Sequence, residues 1–334
     1  MMKIAHCLSA LAALAALAAW PGRPLSAPSG LTAAAGLACG CPCECPRTSA
    51  QSQPNAPTRA PASARPLRII CFGAHPDDDE VCAAGTAALW IARGDRVKFV
   101  SLTNGDIGHW RESGRELAKR RRAEVANGAR LVGYDFEILD NHDGRLEPSL
   151  RNREAVVRLI REWRADVVIT HRPNDYHPDH RYTSVLVQDA AYMVTVPKFL
   201  PEVPALKVNP VFLYFYDRFQ KPYPFQPDIA VDIDPVMEKK LAILAGMVSQ
   251  FYEGGVEGSA ESQPKTEEEA RARREAVRER FIKRQRDVTD TCRATLARFY
   301  GPERAATIRY AEAFEVCEYG RIPDEAEIRH LVPF

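Results

Sequence analysis

The chain has 334 residues, of which 46% are hydrophobic and 27% charged. That balance is ordinary for a folded protein and excludes a collagen-like, coiled-coil or wholly disordered chain. Lys and Arg number 45 against 44 Asp and Glu, a net charge of +1, so no basic footprint for nucleic acid is present. Nine cysteines are too few for a disulfide scaffold.

Met1–His6 is a short segment with Lys3 as its cation, followed by the apolar run Leu8–Trp20. The run is too short to span a bilayer comfortably and reads as the core of a signal peptide over residues 1–27. Cys39, Cys41, Cys43 and Cys45 then alternate in CGCPCECP. Three readings stand for them: lipidation, a soft-metal site, or disulfides to another chain. Residues 28–66 hold this cluster and a Pro/Ala-rich stretch without large apolar residues, a linker in composition. The expected location is therefore periplasmic or extracellular. The membrane would be touched only through an N-terminal anchor, and the sequence leaves the oligomeric state open.

The globular part is expected over residues 67–334. Leu67–Ala74 is a short apolar run that reads as a buried strand. Helix Glu80–Arg93, strand Arg96–Thr103, helix Arg111–Val132 and strand Phe136–Asp140 follow. Helix Leu150–Arg164, strand Asp166–His171 and a helix over Asp179–Val194 complete the alternating part. Val211–Tyr216 and Ile229–Ile233 add strands, and Pro235–Tyr252 a helix. Thr266–Arg298 reads as one long charged helix with Glu267–Arg271 and Glu269–Arg273 pairs. Strands alternating with helices imply right-handed crossovers and a mostly parallel sheet. The fold class is α/β: a Rossmann-like three-layer αβα sandwich.

Two clusters carry the chemistry. His75-Pro76-Asp77-Asp78-Asp79-Glu80 follows the first strand and opens a helix. Helix N-termini favour carboxylates by only ~0.3–1 kcal/mol each, which does not account for four acids in six residues. A bound cation accounts for them better. His177-Pro178-Asp179-His180 follows the fourth strand through a polar loop, so both clusters lie at strand carboxyl ends, where such sheets bind ligands. His75, Asp78 and His180 would make a two-histidine, one-carboxylate site with an open position. That set suits catalytic Zn²⁺ and also Fe²⁺. Asp77 is then free to take a proton from water, and His177 to hold a developing oxyanion or protonate a leaving amine. Asp179 would orient His177 or support the ligands from behind.

These residues resemble the PIG-L/LmbE-like zinc-dependent deacetylase family, which includes N-acetylglucosaminyl-phosphatidylinositol deacetylases. The resemblance is carried by Ala74–Asp78 and His177–His180. It is extended by Thr103–Gly108, by Arg121-Arg122-Ala123-Glu124, by Asp140–Leu146, by Lys240 with Ser249-Gln250, and by Tyr310–Phe314. It implies zinc on His75, Asp78 and His180, with Asp77 as general base and His177 as its electrostatic or acid partner. It also implies Arg121 and Asp143 as sugar contacts, and hydrolysis of an N-acetyl group on a glucosamine-type sugar or glycoconjugate. Two departures stand out: Asp79 intervenes before Glu80, and Asp106 replaces the family's loop glutamate.

Two other functions compete. One is an amidase for a different N-acyl substrate. The other is an exported, metal-stabilised sugar-binding protein without turnover, which would need neither Asp77 nor His177. A dinucleotide oxidoreductase is disfavoured, because the first strand–helix turn carries acids where a pyrophosphate needs glycines. Trp110 is a candidate for stacking on sugar, and Tyr176 and His171 either line the pocket or pack beside it. Cys71 and Cys82 read as buried thiols, and Cys292 with Cys317 as a candidate disulfide.

Overall fold

A computed structural model describes residues 65–334. The signal-like segment, the cysteine cluster and all but the last two residues of the linker lie outside the described residues. The alternating part runs β1 (Arg68–Gly73), α1 (Asp78–Ala92), β2 (Arg96–Thr103), α2 (Gly114–Val132), β3 (Asp135–Asn141), α3 (Leu150–Trp163), β4 (Val167–Thr170) and α4 (Pro178–Met193). β5 (Val211–Phe215), β6 (Ile229–Asp232), α5 (Met237–Ala245), α6 (Val248–Phe251) and α7 (Glu267–Thr291) follow. The chain closes with α8 (Arg293–Tyr300), α9 (Pro302–Thr307), β7 (Ala311–Cys317) and α10 (Glu325–Leu331).

Seven strands form one sheet in the order β3-β2-β1-β4-β5-β7-β6. β1 to β5 are parallel, and β7 runs antiparallel between β5 and β6. The strands are apolar on both faces because both are covered. Ile69, Cys71, Phe99, Ile169 and Leu213 face a core closed by α1, α2, α5 and α7. Ile70, Phe72, Val100, Val168 and Phe212 face α3 and α4. The expected three-layer, mostly parallel architecture is thus observed. Among the described residues no helix is long and apolar enough to cross a membrane.

Several boundaries differ from expectation. The helix expected over Pro235–Tyr252 is a 3₁₀ turn at Asp234–Val236 followed by α5 and α6, broken around Gly246. The break turns Ser249 and Gln250 toward the sheet's carboxyl edge. The helix expected over Thr266–Arg298 divides at Cys292, whose N–H bonds the carbonyls of both Val288 and Thr289. Dividing there lets Leu296 of α8 pack with Ala230 and Ala311. Glu269 does not pair with Arg273. It closes a capping box with Thr266, while Arg274 takes Glu267 at 2.6 Å. Cys292 and Cys317 are free thiols in separate apolar clusters, so the expected disulfide is corrected. β7 is a strand beyond those expected, placed by antiparallel pairing with β5 and β6.

Candidate active site

β1 and β4 are neighbours, and the chain order of the sheet reverses between them. Their carboxyl ends open onto one crevice, the place where open α/β sheets bind ligands. The two His-Pro-Asp segments follow these two strands and meet there.

The three expected ligands converge. His75 Nδ1 lies 3.2 Å from His180 Nε2 and 3.4 Å from Asp78 Oδ2, and His180 Nε2 lies 3.4 Å from Asp78 Oδ2. Tetrahedral coordination with bonds of about 2.0–2.1 Å has ligand–ligand edges of about 3.3 Å. The outward ring nitrogens face carboxylates. His75 Nε2 is 3.2 Å from Asp143 Oδ1 and 3.4 Å from Asp179 Oδ2, and His180 Nδ1 is 3.1 Å from Asp175 Oδ1. Carboxylates at these distances favour imidazole protons on the outward side and lone pairs pointing inward, although neither outward nitrogen makes a well-directed hydrogen bond among the described residues. Two lone pairs and a carboxylate oxygen at this spacing repel one another unless a cation lies between them. The donor set therefore fits a metal ion with nitrogen and oxygen ligands.

The electrostatic surroundings of the site agree with that fit. Burial opposes the charged form of His75, but Asp143, Asp179 and Asp78 outweigh it and hold its pKa well above the ordinary range. The same surroundings favour any cation. Burial opposes ionisation of Asp78, but His180 and His171 outweigh it and hold its pKa well below the usual value. Asp78 Oδ2 also accepts the backbone N–H groups of Ala74 and His75, at 3.0 and 2.8 Å.

Asp77 stands at the N-cap position of α1 beside the triad, with its side chain making no capping bond. Burial pushes its carboxyl up to about 6, against the opposing charge of Arg121. Gln250 Nε2 donates to its Oδ2 at 2.9 Å. Gln250 is placed in turn by its neighbour Ser249, whose N–H and Oγ both donate to Glu124 on α2, at 3.0 and 2.6 Å. The Arg-x-x-Glu and Ser-Gln motifs are thus one device that aims an amide at Asp77.

His177 caps α4, and its Nδ1 accepts the Asp179 N–H at 3.2 Å. The proton of the neutral ring therefore sits on Nε2. Burial, then His75 and His180, lower the His177 pKa, which favours that neutral donor. Its ring lies 4.6 Å from that of His75. The Asp179 side chain is turned toward His75 and away from His177. Its carboxylate faces His75 and accepts the N–H groups of Gly144 and Leu146, at 2.6 and 3.2 Å, and only its backbone touches His177.

Arg121 and Asp143 join the same crevice. Arg121 is 1% exposed, and its Nε and Nη2 have no hydrogen-bond partner among the described residues. Buried donors without partners are costly and rare, so these atoms are suited to a ligand's oxygens. Gly105 makes room for the guanidinium. A Cβ there would lie 2.7 Å from Arg121 Cδ and closer still to Nη1, and its φ is +69°. The Asp143 carboxylate lies against His75, and its N–H bonds Asp106 Oδ1 at 3.1 Å. Asp106, the residue that departs from the family pattern, thus anchors this loop and also pairs with His142 at 2.6 Å.

Asp175 has no role in the sequence analysis, and His171, expected to line the pocket or pack beside it, lies against the triad. Asp175 accepts the His177 N–H at 2.9 Å as well as facing His180. Its position two residues before His177 is the spacing of an Asx turn, a signal the sequence does contain. His171 stacks on His180 with ring centroids 4.1 Å apart, and its Nε2 accepts the Ala74 N–H at 3.2 Å. Trp110 is packed elsewhere than its stacking candidacy suggested. Its backbone N–H donates to Gly255 O at 2.8 Å, Arg111 lies over its ring, and Gly258 sits against its indole.

Fold and site together define a parallel-sheet α/β protein with a two-histidine, one-carboxylate centre at its topological switch point. Residues 70–191 match the PIG-L family, described as GlcNAc-PI de-N-acetylase. Diacetylchitobiose deacetylase of Thermococcus kodakarensis is 30% identical over 192 residues, 56% of this chain and 71% of that protein. A 1D-myo-inositol 2-acetamido-2-deoxy-alpha-D-glucopyranoside deacetylase of Catenulispora acidiphila is 28% identical over 185 residues, 46% of this chain and 57% of that protein. The chain belongs to the PIG-L family. The solved N,N'-diacetylchitobiose deacetylase from Pyrococcus horikoshii superposes with a TM-score of 0.57 at 26% identity, covering 80% of this chain and 86% of that one. A 4-carboxy-2-hydroxymuconate hydratase from Pseudomonas putida has the same fold, with a TM-score of 0.60 at 20% identity over 78% of this chain and 99% of its own. The fold alone therefore does not fix the reaction.

Proposed function

We propose that this chain is a metal-dependent hydrolase that removes an N-acetyl group from a glucosamine-type sugar or glycoconjugate. The observation that carries this reading is the convergence of His75, Asp78 and His180 with Asp77 and His177 beside them. His75, Asp78 and His180 would hold Zn²⁺, which polarises a carbonyl and acidifies water when bound. Asp77 takes the proton from the attacking water, with Gln250 holding its carboxylate in place. His177 donates its Nε2 hydrogen to the oxyanion that develops as the acetamide carbon becomes tetrahedral. Asp77, now protonated, returns the proton to the leaving amine, and acetate departs. Arg121 offers its free N–H groups to substrate oxygens, while Asp143 and Asp179 hold His75. Fe²⁺ suits the same donors and is the alternative ion.

An amidase for another N-acyl compound would use the same machinery. A binding protein without turnover would have no use for the arrangement of Asp77 and His177. We extend the proposal to export, on the N-terminal apolar run, which fractionation of the full chain tests.

Acetate release from a panel of N-acetylglucosamine compounds tests the function. Release that chelator abolishes and Zn²⁺ restores is expected. Asp77→Ala should keep its zinc and lose turnover by about 10²–10⁴-fold, whereas His180→Ala should lose the zinc. Full activity in zinc-loaded Asp77→Ala would refute the base assignment.

A further inference from the structure

β6 stops short of its partner. Ile229 pairs with Phe314, while β7 runs on to Cys317. The Val316 N–H left over there is taken by the Asp228 carboxylate at 2.8 Å. A cavity of about 580 Å³ opens over this stretch of β7. That volume is in the range of small-molecule sites, about 300–1,000 Å³. The cavity shares no residue with the crevice at the carboxyl ends of β1 and β4.

Its wall combines rings and acids. Tyr214, Tyr223 and Tyr319 supply the rings, and Asp228, Glu315 and Glu318 the carboxylates. Tyr223 already holds the Arg172 guanidinium 4.9 Å from its ring centroid. The Tyr319 ring is 61% exposed and meets neither a ring nor a cation among the described residues. Arg298, the one cationic side chain in the wall, donates at 3.0 Å to Glu325, which lies outside it. Glu315 is 8% exposed, and its Oε2 makes its polar contacts, to the Gln226 N–H at 2.9 Å and to Arg172 Nε at 3.3 Å. Its Oε1 has no hydrogen bond among the described residues. Arg172 is shared with Asp217, at 2.8 Å. Burial pushes the Glu315 carboxyl up, against the Gln226 N–H and Arg172, and Asp228 adds to the rise.

A buried carboxylate with an open oxygen and too little positive charge around it is a place for a cation. The three carboxylates do not converge as metal ligands would. The rings among them favour a cation that carries carbon groups. We propose that this cavity binds an organic ammonium ion, with its charge beside Glu315 and Asp228 and its carbon groups against Tyr214, Tyr223 and Tyr319. The site goes beyond the deacetylase reading and does not depend on it.

Calorimetric titration of the zinc-loaded full chain with choline, ethanolamine and dimethylbutanol tests the proposal. Dimethylbutanol is choline with carbon in place of nitrogen, so it keeps the shape and lacks the charge. The tighter of the two ammonium compounds should bind at least about tenfold better than the neutral alcohol. Choline ahead of ethanolamine would assign a quaternary head to the ligand, and the reverse order a primary amine. Glu315→Gln should weaken the tighter ammonium by about tenfold. Because Glu315 also touches Arg172, the double variant Glu318→Gln/Tyr319→Ala, at two exposed positions, is the second arm. It should weaken binding by about fivefold. Removing the metal with chelator should leave the affinity as it was. No binding of either ammonium, equal binding of the alcohol, unchanged affinity in either variant, or loss of binding together with the metal would each overturn the site.

Discussion

Lys240 and Glu312 form an ion pair at 2.5 Å with both side chains only 1% exposed. The pair is built into the helix that begins at the site. Lys240 on α5 also donates to Val81 O at 2.7 Å. Glu312 on β7 accepts the N–H groups of Gly85 and Thr86, at 2.9 and 2.7 Å, and the Thr86 hydroxyl at 2.6 Å. Both ends of the Val81–Gly85 step of α1 are thereby bonded to side chains from two distant segments. Removing one partner of a buried pair strands the other, at a cost of about 3–5 kcal/mol. For a domain of this size that is a fall in Tm of roughly 6–20 °C. Lys240→Met is the perturbation, followed by thermal unfolding in chelator so that bound metal adds no stability of its own. The double variant Lys240→Met/Glu312→Leu should regain at least half of the loss. It removes both charges and lets Val81 O and Gly85 N bond each other as an ordinary i,i+4 step. A fall below about 3 °C in Lys240→Met, or a double variant no more stable than the single, would refute the view that the pair acts as a buried unit.

Asp179→Asn should weaken Zn²⁺ binding by about 10–100-fold, read by competition with a chromophoric chelator, because it withdraws a charge from behind His75. Equal affinity would sink that supporting role. Gly105→Ala meets both a positive φ and the Arg121 guanidinium. The backbone alone costs about 1–2 kcal/mol, and a rise in KM larger than any fall in kcat is expected as Arg121 is displaced. Glu253 is held below its ordinary pKa of 4.5, first by its bond to Arg120. A depressed carboxylate stabilises the fold fully above its unfolded pKa and loses that contribution as pH falls through its lower folded value. Glu253→Gln should therefore flatten the fall in stability on acidification below pH 4.5, measured by denaturant unfolding across that range. An unchanged slope would count against the Arg120 pairing.

The shared fold of a hydratase and of deacetylases places the burden of function on side chains. In this chain that burden falls on few residues. His75, Asp77 and Asp78, with His177 and His180, lie within two short segments of sequence, and the remaining groups hold them in place.

The amino-acid sequence by itself determined the alternation of strands and helices from β1 to α4, since apolar runs bounded by turn residues and periodic helices are local signals. It also determined which residues meet at the triad. Two His-Pro-Asp segments after parallel strands can lie close only at the carboxyl edge of the sheet, and the order of β1 and β4 then brings them together. Only the tertiary structure decided what supports them. Glu124, Ser249 and Gln250 come from distant helices to fix Asp77, and Asp143 and Asp179 share His75. The insertion of β7 as an antiparallel strand, and its buried Glu312 against α1, likewise depend on pairings made across the whole length of the domain. Such contacts are set by packing between segments far apart in the chain, and local propensity carries no record of them.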